Sequence, residues 1–269
     1  MNEENKSGQW EVTLLGVRGS VPVTPKEYQE FGGDTLCVRI EAGDQVIFLD
    51  AGSGILHGQP GRENHVLIGH PHLDHLLGLC KWKGLSDKSG IVKLYAADHC
   101  GLSCRELLQK LFGPPFWPIH LENVHPGLTY VSVKGAFEIE GIFVDVLSGN
   151  HPGGVTHYRL SDGQRSLVYA VDCELTPEAE AALREFARDC DLLIIDGQLS
   201  EDEREEKKGW GHSVSADAAR LGRACGAKQT VLVHFDPSST DEMLEREEEK
   251  IRRVFTDCHF GRQGERLFL

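Results

Sequence analysis

Four potential metal ligands crowd into six consecutive residues, His70-Pro71-His72-Leu73-Asp74-His75, directly after the apolar run Val66-Leu67-Ile68. Such density is costly unless something coordinates it, because each polar group turned inward needs a partner. Histidine nitrogen and carboxylate oxygen suit zinc, manganese or iron, and with no cysteine among them the six do not read as a structural thiolate site. In extended chain His70 and His72 point the same way. Asp74 and His75 then turn into Leu76-Leu77-Gly78 and can face a second ion. The segment therefore predicts a two-metal hydrolytic site at the C-terminal end of a strand.

Two dications held about 3.5–4 Å apart need a bridging carboxylate and further ligands from other parts of the chain. Three candidates lie just past apolar runs: His151 after 142–147, Asp172 after 167–171 and His234 after 230–233. Asp172 is the natural bridge. A further histidine, His212, lies in the glycine-rich stretch Gly209-Trp210-Gly211-His212-Ser213, from which it can approach the cluster as a general acid.

The 269 residues suffice for one large α/β domain spanning 1–269. Strand-like runs occur at 10–17, 36–40, 45–49, 66–68, 92–96, 130–133, 142–147, 166–171, 192–195 and 230–233. Short turns such as Ala42-Gly43-Asp44 predict early hairpins; later strands alternate with helices. The helices are expected at 103–111, at 178–188 behind Thr176-Pro177, from Ser213 or Ser215 as cap to Cys225, and at 242–255. The last is read as a solvated, charged face. This pattern predicts two sheets face to face with helices outside.

A formal net charge of -14 argues against binding of long nucleic acid. It is compatible with a small phosphorylated substrate, since bound dications invert the local field. No apolar run approaches the roughly 18 residues of a membrane span, and the polar start Met1 to Lys6 has no signal-peptide core. The eight cysteines therefore read as reduced thiols in a cytoplasmic protein. Cys100 and Cys104 beside His99 form half a zinc site at most, and packing is the better reading.

Together these residues resemble the metallo-β-lactamase fold superfamily, whose hallmark is H-x-H-x-D-H. Leu15-Gly16-Val17-Arg18-Gly19-Ser20 and Phe31-Gly32-Gly33-Asp34-Thr35 are similar to the opening of its phosphodiesterase branch, which includes ribonuclease Z-like and cyclic phosphodiesterase proteins. Leu49-Asp50-Ala51-Gly52-Ser53-Gly54, Pro114-Pro115-Phe116-Trp117-Pro118, His151-Pro152-Gly153-Gly154 and Tyr169-Ala170-Val171-Asp172 extend the likeness over nearly the whole chain. It implies a four-layer αββα sandwich of two mixed sheets. It also implies one metal on His70, His72 and His151, the other on Asp74, His75 and His234, Asp172 bridging and Asp50 supporting the histidine loop. His212 matches the histidine that contacts the scissile phosphate or protonates the leaving oxygen. With Asp74 it is the candidate catalytic residue. Departures are Gly69 before His70, where the family often has Thr or Ser, and Asp34 in place of the commoner Asn. The long Gly/Pro-rich arm with which some ribonuclease Z proteins grip transfer RNA is not evident.

The expected activity is hydrolysis of a small phosphodiester, a cyclic nucleotide or cyclic phosphate, by a metal-bridging hydroxide, with zinc or else manganese. Two alternatives carry different chemistry: hydrolysis of a lactam, thioester or lactone, and a metal-bound nucleotide sensor or scaffold without turnover. Phe112, Phe116 and Trp117 are read equally as a pocket wall or as core packing, and exposed aromatics permit a homodimer.

Overall fold

The computed structural model describes residues 8–269, so the polar start Met1 to Lys6 lies outside the described residues. The chain divides into two compact units, one of residues up to Gly16, Leu36–Lys134 and Gly264–Leu269, the other of Val17–Thr35 and Gly135–Gln263.

The first unit is built on a seven-stranded sheet of β1 (Trp10–Gly16), β2 (Cys37–Ala42), β3 (Gln45–Leu49), β4 (Glu63–Ile68), β5 (Ile91–Ala97), β6 (Leu128–Val133) and β14 (Arg266–Phe268). Its order is β14-β1-β2-β3-β4-β5-β6. The members from β14 to β3 are antiparallel, β2 and β3 joined by the expected tight turn, and β3 to β6 are parallel. Short helices α1 (Lys83–Ser86), α2 (Cys104–Leu111) and α3 (Leu121–Val124) complete it. Ser103 closes a capping box with Glu106 at the start of α2. The core gathers around Trp82, whose ring meets Phe48 at 4.8 Å and whose Nε1–H donates to the Gly58 carbonyl. Phe112 is buried in this core and Trp117 packs against it, whereas Phe116 is 79% exposed. The first two therefore serve packing. Cys104 is likewise core, and burial pushes its thiol up to about 12.

The second unit repeats the plan. Its sheet contains β7 (Phe137–Ile139), β8 (Ile142–Gly149), β9 (Val155–Ser161), β10 (Ser166–Ala170), β11 (Leu192–Asp196), β12 (Gln229–Val233) and β13 (Cys258–Phe260), in the order β13-β12-β11-β10-β9-β8-β7. β7 to β10 are antiparallel and β10 to β13 parallel. Helices α4 (Pro177–Phe186), α5 (Ser215–Ala224) and α6 (Asp241–Val254) belong to this unit.

Two expectations need correction. Neither Ser213 nor Ser215 caps α5: its N-cap is Val214, while Ser213 Oγ donates to the Cys173 carbonyl and Ser215 Oγ to Glu247. Both hydroxyls are spent on tertiary contacts. Nor is α6 a uniformly solvated face. Leu244, Glu248 and Ile251 are buried, and the Glu248 carboxylate accepts from the Phe260 N–H and from Arg262, both at 3.0 Å. Removing that acceptor leaves the buried Phe260 N–H unsatisfied and takes from the Arg262 guanidinium its carboxylate partner. Glu248→Ala is therefore expected to destabilise the fold by about 2 kcal/mol, read as a lower denaturant midpoint; an unchanged midpoint would contradict this assignment.

Strand direction explains where the polar residues collect. Parallel neighbours end on the same edge of a sheet, which is where open α/β sheets place their sites. In the first unit that edge carries Asp50 after β3 and Gly69-His70 after β4. In the second, β8 runs the same way as β10, because each is antiparallel to β9. His151, Asp172, Asp196 and His234 thus follow or end strands that point to one edge.

Candidate functional site

On the first unit, β4 delivers His70 and the chain then folds into a single helical turn over Leu73–His75. The ring centroids of His70 lie 4.2 Å from His72 and 4.3 Å from His75. His70, Asp74 and His75 are buried. Asp50, 1% exposed, has φ of 60°, a left-handed conformation that aspartate tolerates better than most residues. One of its carboxylate oxygens accepts the Gly69 N–H and the other the His75 Nδ1–H, both at 2.7 Å. With the proton on Nδ1, the lone pair of His75 is at Nε2, which lies 3.3 Å from Asp74 Oδ2. The Asp50 carboxylate thus bonds both the Gly69 amide and the His75 imidazole.

On the second unit, Asp172 and His234 also take left-handed φ, 56° and 68°, directly after their strands. Such conformations cost about 1–3 kcal/mol each and cluster at functional positions. Gly19 lies against the His234 ring so closely that a Cβ there would come within 2.5 Å of it. His234 Nε2 is 3.1 Å from Asp172 Oδ1. His212 Nδ1 is 2.8 Å from Asp196 Oδ2 and 3.3 Å from Asp172 Oδ1, and its ring stacks on His234 at 5.1 Å. His151 sits beside it, ring centroids 5.3 Å apart, with Nδ1 3.0 Å from the Gly211 carbonyl. Burial lowers the pKa of His151, favouring the neutral imidazole that a metal requires.

The structure thus brings His70, His72, Asp74 and His75 together on one unit, and His151, Asp172, His212 and His234 on the other. It adds Asp196, fully buried at the end of β11, which the reading of the sequence passed over. Its signal was the one applied elsewhere, a polar residue closing an apolar strand. The ligand atoms of Asp172, Asp196, His212 and His234 all lie within 4.8 Å of one another. Buried carboxylates interleaved with imidazoles fit a divalent cation.

The comparisons agree with this chemistry. A family model described as the beta-lactamase superfamily domain matches residues 12–235, and the chain belongs to that family. Ribonuclease Z of Acaryochloris marina is 23% identical over 282 residues, covering 84% of this chain and 86% of its own length. The metallo-β-lactamase fold protein YhfI from Bacillus subtilis shares the fold with a TM-score of 0.76 at 20% identity, over 97% of this chain and 100% of that one. A diphosphatase from the PhnP family gives 0.72 at 18% identity, over 97% of each chain. The expected fold class holds: two mixed seven-stranded sheets with helices, in the αββα class. So does the expected resemblance to the phosphodiesterase branch, and with it the reading of the chain as a metal-dependent hydrolase.

Proposed function

We propose that this protein hydrolyses a small phosphodiester, a cyclic nucleotide or cyclic phosphate, with residues 1–269 acting as one hydrolase domain. The observation that carries the reading is His212, an imidazole outside the proposed ligand set whose Nδ1 is held 2.8 Å from the buried Asp196. A histidine so oriented is equipped to give a proton, and the leaving alkoxide of a phosphodiester needs one. In this reading His70, His72 and His151 would hold one ion and Asp74, His75 and His234 the other, with Asp172 shared between them. Bound there, two divalent ions would supply an acidified water and take up charge on the phosphoryl oxygens. Asp50 and Asp196 hold imidazoles through Nδ1, which leaves Nε2 of His75 as the atom that would take an ion and Nε2 of His212 as the atom that would give a proton to the departing oxygen. Zinc is the ion we propose, and the same donors serve manganese. The setting we propose is the cytoplasm, in keeping with eight free thiols. Among the described residues no helix is long and apolar enough to cross a membrane.

The relatives named ribonuclease Z favour RNA as a second substrate class. The net charge of -14 speaks for the small substrate. Zinc- or manganese-loaded protein, its metal content measured, should cleave bis-p-nitrophenyl phosphate and members of a cyclic-nucleotide panel, and leave nitrocefin and a thioester intact. Cleavage of a 3′-extended transfer RNA alone would transfer the assignment to RNA. Turnover of nitrocefin or the thioester without phosphodiester cleavage would end it, as would tight binding of a cyclic nucleotide with no product.

A further inference from the structure

Three segments of the second unit carry residues given roles above: 150–154 after β8, 172–174 after β10, and 209–212 ahead of α5. Glu174 lies in the second and bonds the other two. Its backbone N–H donates to the Asn150 carbonyl at 3.0 Å, and its own carbonyl accepts from Asn150 Nδ2 at 3.2 Å. Its carboxylate accepts two amides of the glycine-rich segment, Gly209 N–H on Oε1 at 2.9 Å and Gly211 N–H on Oε2 at 3.2 Å. Those glycines have φ of 83° and 89°, and the amides on either side of Trp210 converge on the two oxygens of one carboxylate. Gly211 in turn offers its carbonyl to His151 Nδ1, and a Cβ at Gly211 would lie 2.2 Å from that nitrogen. His212 is the next residue.

We propose that Glu174 is the positioning residue of this half of the site: it clamps one loop that both orients the His151 imidazole and delivers His212 to Asp196. The inference rests on the functional reading given to His151 and His212. Accepting the His151 Nδ1–H at the Gly211 carbonyl leaves the lone pair at Nε2, the atom a metal would take. A carboxylate receiving two amides makes charge-assisted bonds. Without it two glycines, the most freely rotating residues in a chain, flank the loop. The His151 imidazole then loses its fixed direction, and the segment that carries His212 loses one of its anchors. Glutamine in place of Glu174 keeps one acceptor oxygen and turns an NH2 toward the other amide, so it should be intermediate.

The test uses Glu174→Ala and Glu174→Gln in the full chain, with zinc titrated into metal-free protein. In Glu174→Ala one zinc site should weaken about tenfold or more, and amide hydrogen exchange at Gly209 and Gly211 should accelerate. Turnover of 2′,3′-cyclic AMP, whose leaving group is an alkoxide, should fall about tenfold or more. Turnover of bis-p-nitrophenyl phosphate should fall less, because p-nitrophenolate leaves without a proton. A purely structural role would lower the two alike. Unchanged zinc affinity and unchanged exchange in Glu174→Ala would overturn the clamp, and the functional reading would stand if His212→Ala still cripples turnover. If affinity and exchange shift while His212→Ala leaves turnover intact, the clamp stands and the functional reading falls. Should the alanine variant fail to fold, Glu174→Gln carries the same three measurements with smaller expected shifts.

Discussion

His212→Ala is expected to lower phosphodiester turnover by about 10²–10⁴-fold, the usual worth of a positioned general acid, with metal content equal to that of the parent. The geometry supports both halves of that statement. The His212 side chain is 12% exposed, open enough to meet substrate, while Asp196 beside it is fully buried. A buried carboxylate at 2.8 Å accepts the Nδ1 proton, which leaves Nε2 as the ring atom through which a proton can pass to the leaving group. Ser213, the next residue, is tied to the Cys173 carbonyl, so the chain at His212 is anchored on its far side as well. The loss should depend on the leaving group, being larger for a ribose hydroxyl than for p-nitrophenolate. Steady-state kinetics on both substrates, with elemental analysis of the same preparation, decides the matter. If zinc is lost along with activity, His212 is a ligand, an arrangement its place among Asp172, Asp196 and His234 makes a real competitor.

The parts of this protein that were legible in its sequence are those where one short segment carries its own signal. The run from His70 to His75 is dense enough to announce a metal site, and the strands on which the candidate residues ride are long and apolar. β7, β13 and β14 escaped notice because each has three residues, too few for alternation to register. β9 escaped for another reason. It follows at once on Gly153-Gly154, and its His157 and Arg159 interrupt the apolar pattern, although His157 is buried in the structure. The return of β14 to pair with β1 is a long-range choice with no local mark in the sequence. The charged run 242–255 reads as solvent-facing, Glu248 included, because charge alone says nothing of a partner fourteen residues away at Arg262. Asp196 was readable by the rule that found Asp172 and His234; what hid it was a carboxylate bonded to a histidine rather than placed in a recognised motif. Glu174 was not readable at all, since its partners are backbone amides of a distant loop.

Asp50 offers the sharpest separation between shape and proton placement. Asp50→Asn keeps the side-chain outline, so the segment from Gly69 to His75 should stay folded. With its oxygen accepting the Gly69 N–H, as Asp50 Oδ1 does at 2.7 Å, the NH2 of asparagine falls where Oδ2 now takes the His75 Nδ1–H. Two donors then meet, and His75 relieves the clash by moving its proton to Nε2. A protonated Nε2 cannot coordinate an ion, so zinc affinity should drop about 10–100-fold, the usual cost of losing a partner behind a metal ligand. Asp50→Ala should lose that affinity and stability besides, because two buried donors are left without acceptors at about 1–3 kcal/mol each. Titration of zinc into the metal-free variants, paired with denaturant unfolding, reads the two effects apart. Asparagine should move the affinity with little change in the unfolding midpoint, and alanine should move both. Equal zinc affinity in the parent and Asp50→Asn would mean that His75 does not bind through Nε2, and the role given to the whole segment after β4 would have to be redrawn around His70 and His72.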